Sequence, residues 1–79
     1  MKAVQYSADA LNALRKYRKD APTIMAKIER YAETGAGDVK RLVGRAEKRL
    51  RIGAYRVLFE EDATTLQVSK IGPRGAIYD

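Results

Sequence analysis

The chain has 79 residues, of which 16 are basic and 10 are acidic, so its net charge is +6. This length excludes a two-domain enzyme and predicts one small domain over residues 1–79. The absence of cysteine and histidine excludes disulfides, thiolate nucleophiles, imidazole bases and histidine-ligated metals. No apolar run approaches the roughly 18 residues of a membrane span, and the N-terminus lacks a signal-peptide pattern, so we expect a cytoplasmic protein.

The first half of the chain predicts a strand followed by two helices. Residues 3–7 have the pattern of a short strand, and Ser7 is placed to cap the first helix. The spacing of the apolar residues that follow is helical. Asp20 or Ala21 is placed to cap the second helix, which carries a proline in its first turn. Gly35 is a natural left-handed cap for its C-terminal end.

From residue 47 onward the hydrophobic period changes from about 3.6 to 2, which predicts strands. Three strands are predicted at 47–52, 55–60 and 65–71, with a further strand near 76–78. The predicted fold class is α+β: an N-terminal strand, a helical hairpin, and then an antiparallel sheet of three to four strands.

Positive charge is concentrated in residues 40–56, which hold seven basic side chains and one acidic one and so account for the whole net charge. A concentrated basic patch indicates a polyanionic ligand, most often nucleic acid, whereas a solvated face is the alternative. Strand alternation places Arg49 and Arg51 opposite the face that carries Leu50 and Ile52. Neighbouring like charges on a sheet repel, which favours an anionic ligand over cross-strand pairing with Glu47, Glu60 or Glu61.

Other chemistries have weaker support in the sequence. Glu60-Glu61-Asp62 is the only carboxylate cluster, and its position favours a solvated turn over a metal site. The glycine-rich stretches 35–37 and 72–75 lack the Lys-Ser/Thr that follows a phosphate-binding loop. We therefore expect no cofactor and no metal.

Two stretches of the second half carry a recognisable pattern. Residues 49–59 form a basic strand, a glycine, one further residue, and a Tyr-Arg pair that opens an apolar strand. Residues 70–78 form the end of an apolar strand, a glycine, an arginine and a late tyrosine. With the helical hairpin before them, these patterns resemble the RelE/ParE superfamily of bacterial toxin–antitoxin toxins over nearly the whole chain.

The resemblance implies a toxin that a cognate antitoxin holds inactive, in a complex that binds operator DNA through the antitoxin. RelE-like members imply a ribosome-dependent endoribonuclease that cuts messenger RNA and inhibits translation. ParE-like members imply a non-enzymatic inhibitor of DNA gyrase on the same fold, so the fold alone does not decide between them. The catalytic residues that the resemblance implies are Arg56, Arg74 and Tyr78. The residues expected to bind RNA are Lys48, Arg49, Arg51 and Lys70.

The chemistry of such a site is coherent. When an RNA 2′-hydroxyl attacks the adjacent phosphate, negative charge gathers on the phosphoryl oxygens, and arginine forks stabilise it. Arginine is a poor proton donor, so Tyr78 is the candidate general base or a stacking partner for an RNA base. To act as a base, its phenol needs positive neighbours to ionise. Pro73 stands where many relatives have histidine or another polar residue, which removes a candidate acid.

Overall fold

The computed structural model describes residues 1–77 and places five strands in one sheet, with both helices on one of its faces. The elements in chain order are β1 (Ala3–Tyr6), α1 (Ala8–Lys16), α2 (Ala21–Thr34), β2 (Asp38–Arg41), β3 (Lys48–Ile52), β4 (Tyr55–Glu61) and β5 (Thr65–Pro73). The strand order is β1-β5-β4-β3-β2, in which β1 runs parallel to β5 and the other pairs are antiparallel. The predicted α+β class is confirmed.

Both helices begin, and α2 ends, where the sequence predicts, whereas α1 already ends at Lys16. The Ser7 hydroxyl accepts a hydrogen bond from the Ala10 N–H at 3.0 Å and caps α1. Asp20 occupies the N-cap position of α2, although its side chain makes no capping bond there. Gly35 ends α2 in the left-handed conformation with φ of 75°. Neither helix of the described chain is long and apolar enough to cross a membrane.

Two details of the strand prediction are wrong. Residues 38–41 form β2, which the sequence pattern does not predict, because an edge strand with the single apolar residue Val39 carries little hydrophobic signal. Residues 74–76 form a turn rather than the start of a terminal strand, since the Ala76 N–H donates to the Pro73 carbonyl at 2.9 Å. The remainder of that predicted strand reaches Tyr78, which lies outside the described residues.

The core lies between the helices and one face of the sheet. The strand residues Leu50, Ile52, Val57 and Phe59 all face the helices, as the alternation predicts. The largest fully buried side chains are Phe59, Ile24, Ile28, Leu66, Val57 and Val68. Burial of a side chain of this size contributes roughly 1.5–3 kcal/mol, so this layer holds the helices on their side of the sheet.

A β-bulge in β5 changes which of its residues face the helices. Phe59 pairs with Val68 whereas Leu58 pairs with Lys70, so Ser69 is the extra residue. The Ser69 hydroxyl donates to the Leu58 carbonyl at 3.1 Å. Because the bulge shifts the alternation by one residue, Val68 and Ile71 both reach the core while Lys70 comes to the open face beside Leu58.

On the helix side, the Glu61 carboxylate joins four parts of the fold. It accepts hydrogen bonds from Lys2, from the Tyr31 hydroxyl and, at 2.9 Å, from Lys48, and its side chain is 11% exposed. Burial acts to raise its pKa, but these three hydrogen bonds outweigh burial and lower the pKa of Glu61 to about 2. Burial, followed by the hydrogen bond to Glu61, raises the pKa of Tyr31 to about 12.

We predict that Glu61→Gln lowers the free energy of unfolding by about 2 kcal/mol at pH 7, because both ammonium groups lose their charged acceptor. The pKa of this carboxyl is about 2 in the folded protein against 4.5 ordinarily. Its contribution is therefore present above about pH 4.5 and is lost as the pH falls toward 2. Urea unfolding followed by circular dichroism at pH 7, 4.5 and 3 measures both effects.

Glu60→Gln is the matched control, since Glu60 is the exposed neighbour on the same strand. We expect it to leave both the stability at pH 7 and the acid sensitivity unchanged. Identical acid sensitivity in the wild type and in Glu61→Gln would contradict the role assigned to Glu61.

Candidate nucleic-acid interface

Cationic side chains come together on the sheet face away from the helices. Arg51 of β3 lies directly opposite Arg56 of β4, and Lys40 of β2 lies directly opposite Arg49 of β3. Asp38 is the cross-strand neighbour of Arg51 on its other side. Like charges at opposite positions destabilise a sheet, so this face favours a ligand that brings further negative charge.

These residues line a cavity of about 620 Å³, here called the basic pocket. Its lining consists of Asp38, Lys40, Arg49, Arg51, Arg56, Arg74, Gly75 and Ile77. Five of these side chains are cationic and one is acidic. Four of the seven residues singled out in the sequence, the four arginines, therefore share one cavity.

The other three predicted site residues lie elsewhere. Lys70 is on the same face, in a neighbouring cavity of about 160 Å³ that Arg45 and Glu47 also line. Lys48 is on the helix side of the sheet, where it is bound to Glu61. Tyr78 lies outside the described residues. The strand alternation that assigns Arg49 and Arg51 to the open face also assigns Lys48 to the opposite one.

Arg56 is buried, with 7% of its surface exposed, and its guanidinium is held by backbone oxygens. Its Nη1 donates to the carbonyls of Gly53 and Tyr55, each at 2.9 Å. These two carbonyl acceptors fix the position and orientation of the guanidinium. Arg56 therefore presents a fixed positive charge to the basic pocket, the kind of preorganisation that stabilises charge in a transition state.

The turn between β3 and β4 positions a second arginine as well. The Arg74 N–H donates to the Ala54 carbonyl at 2.8 Å. Three consecutive carbonyls, from residues 53–55, thus hold the side chain of Arg56 and the backbone of Arg74. Sequence reasoning missed this arrangement because the acceptors are backbone atoms that every residue carries.

Residues 53–55, here called the arginine-holding turn, are themselves anchored to the corner between α1 and α2. The Tyr55 hydroxyl donates to Asp20 at 2.5 Å, and the Tyr55 and Tyr17 rings meet edge to face with centroids 5.4 Å apart. The hydrogen bond to Asp20 raises the pKa of Tyr55. Tyr55 therefore fastens the arginine-holding turn to the helical layer at the helix–sheet seam.

Two of the nearby glutamates bind cations that do not line the basic pocket. Glu61 binds Lys2 and Lys48, and Glu47 lies 3.9 Å from Arg45. Within residues 1–77, neither Arg51 nor Arg74 forms an ion pair. The cross-strand pairing that the sequence left open as an alternative is therefore absent for these two arginines in the described chain.

The acidic turn after β4 has a structural explanation. Asp62 accepts the backbone N–H groups of Thr64 and Thr65, both at 2.8 Å. These bonds lower its pKa and close the turn. No group of three metal-ligating side chains occurs in the part of the chain that the structure describes.

No protein-family model and no curated protein matches the sequence. Solved structures match over the whole fold. A YafQ variant from E. coli has a TM-score of 0.79 at 10% identity, with 100% of both chains covered. A chain of the RelE–RelB complex from Pyrococcus horikoshii has a TM-score of 0.77 at 20% identity, with 96% of this chain and 98% of that chain covered.

A chain of the RelB–RelE antitoxin–toxin complex from Methanococcus jannaschii has a TM-score of 0.70 at 23% identity, with 95% of each chain covered. The chain therefore has the fold of RelE-type toxins. The resemblance seen in residues 49–59 and 70–78 is confirmed at the level of the fold.

We predict that Gly53→Ala lowers the free energy of unfolding by about 1 kcal/mol, because φ of +57° at this position strains an L-residue. A Cβ on Gly53 would meet no atom within 4 Å, so the backbone conformation alone carries the effect. Urea unfolding measures the change.

Gly75→Ala is the control, since Gly75 also has open space around it but lacks a positive φ. We expect its stability to stay within about 0.5 kcal/mol of the wild type. Equal losses in the two variants would show that the conformation of the arginine-holding turn does not depend on Gly53.

Proposed function

We propose that this protein is the toxin of a type II toxin–antitoxin pair and that it cleaves messenger RNA on the ribosome. The observation that supports this proposal is the basic pocket, in which four arginines face one cavity on a RelE-type fold. Two of them, Arg56 and Arg74, are held by the same turn. Guanidinium groups gathered around one cavity match the charge of a phosphodiester and its bidentate hydrogen-bonding geometry.

In the proposed reaction the 2′-oxygen of one nucleotide attacks its own 3′-phosphate. A bond forms between the 2′-oxygen and phosphorus, and the bond from phosphorus to the 5′-oxygen of the next nucleotide breaks. The products are a 2′,3′-cyclic phosphate and a free 5′-hydroxyl. Negative charge builds on the phosphoryl oxygens, where we assign Arg56 and Arg74 as the stabilising donors.

Two protons also move in this reaction. The resemblance assigns Tyr78 as the base that takes the proton of the 2′-hydroxyl, and the departing 5′-oxygen takes a proton from water. The arginines neither take nor donate these protons, because the pKa of a guanidinium is about 12 or more and the group stays protonated at neutral pH. Their positive charge would favour the ionised phenol of Tyr78.

We assign the neighbouring cations to binding rather than to chemistry. Arg49 and Arg51 line the basic pocket and are proposed to contact phosphates that flank the cleaved bond. Lys70 lies beside them on the same face and is proposed to contact a more distant phosphate. Lys48 is given no part in RNA binding, since its ammonium is bound to Glu61 on the helix side.

The ribosome is the proposed source of RNA alignment. The described lining of the basic pocket consists mainly of phosphate-binding cations and carries no aromatic side chain on which a base could stack. A site of this kind holds a backbone without selecting a sequence or a register. Cleavage at a defined position therefore requires a second component that presents the strand.

The proposed partner in the resting state is a cognate antitoxin. Two of the similar structures are named as complexes of RelE with RelB. A cationic cavity of this kind is complementary to an acidic protein segment, which would exclude RNA from it. We further propose that operator DNA is bound by the antitoxin within this complex.

Inhibition of DNA gyrase is the less favoured alternative. The similar structures described above carry the names RelE and YafQ, and none of the three is named ParE. The arginine-holding turn also has a direct use in phosphoryl chemistry, whereas a gyrase inhibitor would not require a fixed buried guanidinium.

We predict that the wild-type protein cuts messages on translating ribosomes and that Arg74→Ala lowers the cleavage rate by about 100-fold or more, as expected for loss of one transition-state donor. Message ends are mapped by primer extension in a reconstituted translation system. Arg74 is preferred over the buried Arg56 because its side chain is exposed and its loss spares the core.

Arg41→Ala is the matched control, since Arg41 is an exposed arginine on β2 that does not line the basic pocket. We expect its cleavage rate to stay within about twofold of the wild type. Intact message with wild-type protein at ribosome-equivalent concentration would overturn the proposal. Loss of supercoiling by purified gyrase in a parallel assay would then favour the alternative.

A further inference from the structure

A second cavity adjoins the basic pocket at the edge of the sheet. Its volume is about 400 Å³, and it lies between α2 and β3. Its lining, here called the α2 groove, consists of Lys27, Arg30, Ala36, Gly37, Asp38, Leu50, Arg51, Ile52 and Gly53. Asp38 and Arg51 line both cavities, so a ligand that follows Arg51 out of the basic pocket enters the α2 groove.

The two cavities together account for the net charge of the whole chain. Their cationic side chains are Lys27, Arg30, Lys40, Arg49, Arg51, Arg56 and Arg74, and their one acidic side chain is Asp38. This set carries +6, which equals the charge of the chain, while all other residues hold nine basic and nine acidic side chains. Solvation of a surface alone gives no reason for the whole excess of positive charge to lie in two adjoining cavities while the rest of the chain is neutral.

Neither the helix dipole nor an ion pair within the described residues explains the two cations that α2 contributes to this groove. Lys27 and Arg30 are three residues apart, so they lie on one face of the helix. They precede its last turn, which contains no basic residue, so the helix dipole does not account for them. Both are exposed, and neither forms an ion pair within residues 1–77.

The floor of the α2 groove suits a sugar–phosphate backbone. Gly37 and Gly53 contribute no side chain, and a Cβ on Gly37 would approach Leu50 Cδ1 to 3.0 Å. The described lining contains no aromatic side chain that would stack on a base. The groove therefore combines an open apolar floor with cations at its margin, which favours backbone contacts over base recognition.

We infer that the α2 groove binds the phosphate backbone of the same RNA strand whose neighbouring phosphate occupies the basic pocket, and that Lys27 and Arg30 each contact one phosphate. This inference rests on the RNA-binding part of the proposed function. Arg51 is the cation shared between the two cavities. On this inference, a strand of three nucleotides contacts the basic pocket alone, whereas a longer strand also reaches α2.

The test compares oligonucleotides of two lengths without ribosomes. Dissociation constants are measured by fluorescence anisotropy for 2′-O-methyl RNAs of three and nine nucleotides between 50 and 200 mM salt, so that no cleavage occurs. For the nonamer, Lys27→Ala/Arg30→Ala should lower the magnitude of the salt slope by about 1.4, because two phosphate contacts are lost at about 0.7 each. Binding of the trimer should be unchanged.

Arg18→Ala/Lys19→Ala is the control, because it removes the same two charges from exposed positions that line neither cavity. We expect it to keep the wild-type slope for the nonamer. An equal decrease of the salt slope in the two double variants would show that only the net charge matters, and it would overturn the inference. If Lys27→Ala/Arg30→Ala weakens only the binding of ribosomes, the groove contacts ribosomal RNA. If it weakens only the binding of an acidic protein partner, the groove is a protein-docking site. Either result would also overturn the inference.

This test can fail independently of the nuclease proposal. If message stays intact on ribosomes while Lys27→Ala/Arg30→Ala still lowers the nonamer slope, the nuclease proposal is wrong and the α2 groove assignment stands. If message is cut and the nonamer slope is unchanged by the double substitution, the nuclease proposal stands and the groove assignment is wrong.

Discussion

The open face of the sheet depends on how a buried guanidinium is kept in place. Arg56 is 7% exposed and lies opposite Arg51, so both desolvation and repulsion act against it. The carbonyls of Gly53 and Tyr55 offset part of this cost by accepting two hydrogen bonds from Nη1. These two bonds fix the guanidinium at the wall of the basic pocket. This placement supports the proposal that the basic pocket binds an anion from outside the fold.

The two faces of the sheet treat their charges in opposite ways. On the helix side, Lys2 and Lys48 are neutralised by Glu61, whose pKa these hydrogen bonds lower to about 2. On the open side, Asp38 is the one acid that lines the basic pocket within the described chain. Glu61 thus stabilises the margin of the core, while the lining of the basic pocket on the opposite face is mostly cationic. The charges that stabilise the fold and the charges proposed to bind RNA therefore lie on opposite faces of the sheet.

Charge along the chain and charge in space group different residues. The window 40–56 and the two adjoining cavities both carry +6, yet they share only part of their members. Arg41, Arg45 and Lys48 belong to the window alone. Lys27 and Arg30 belong to α2, and Arg74 belongs to the turn after β5. They line the two cavities only because α2 packs beside the sheet edge and the β3–β4 turn holds the backbone of Arg74.

The sequence by itself determined the local features of this protein. Strand alternation assigned Arg49 and Arg51 to the face opposite Leu50 and Ile52, and capping preferences assigned the helix ends to Ser7 and Gly35, because these signals act over a few residues. The RelE-like pattern in residues 49–59 and 70–78 likewise led to the fold that the solved structures share.

Only the tertiary structure decided which cations meet. The edge strand β2 carries too little apolar signal to be predicted, yet it supplies Asp38 and Lys40 to the basic pocket. The bulge at Ser69 moved the side chains of the later β5 residues to the opposite faces of the sheet. The carbonyls of Gly53 and Tyr55 oriented the guanidinium of Arg56. The edge strand and the bulge depend on pairing between different strands, and Arg56 is held by backbone carbonyls that every residue carries. Neither kind of contact leaves a periodic trace in the amino-acid order.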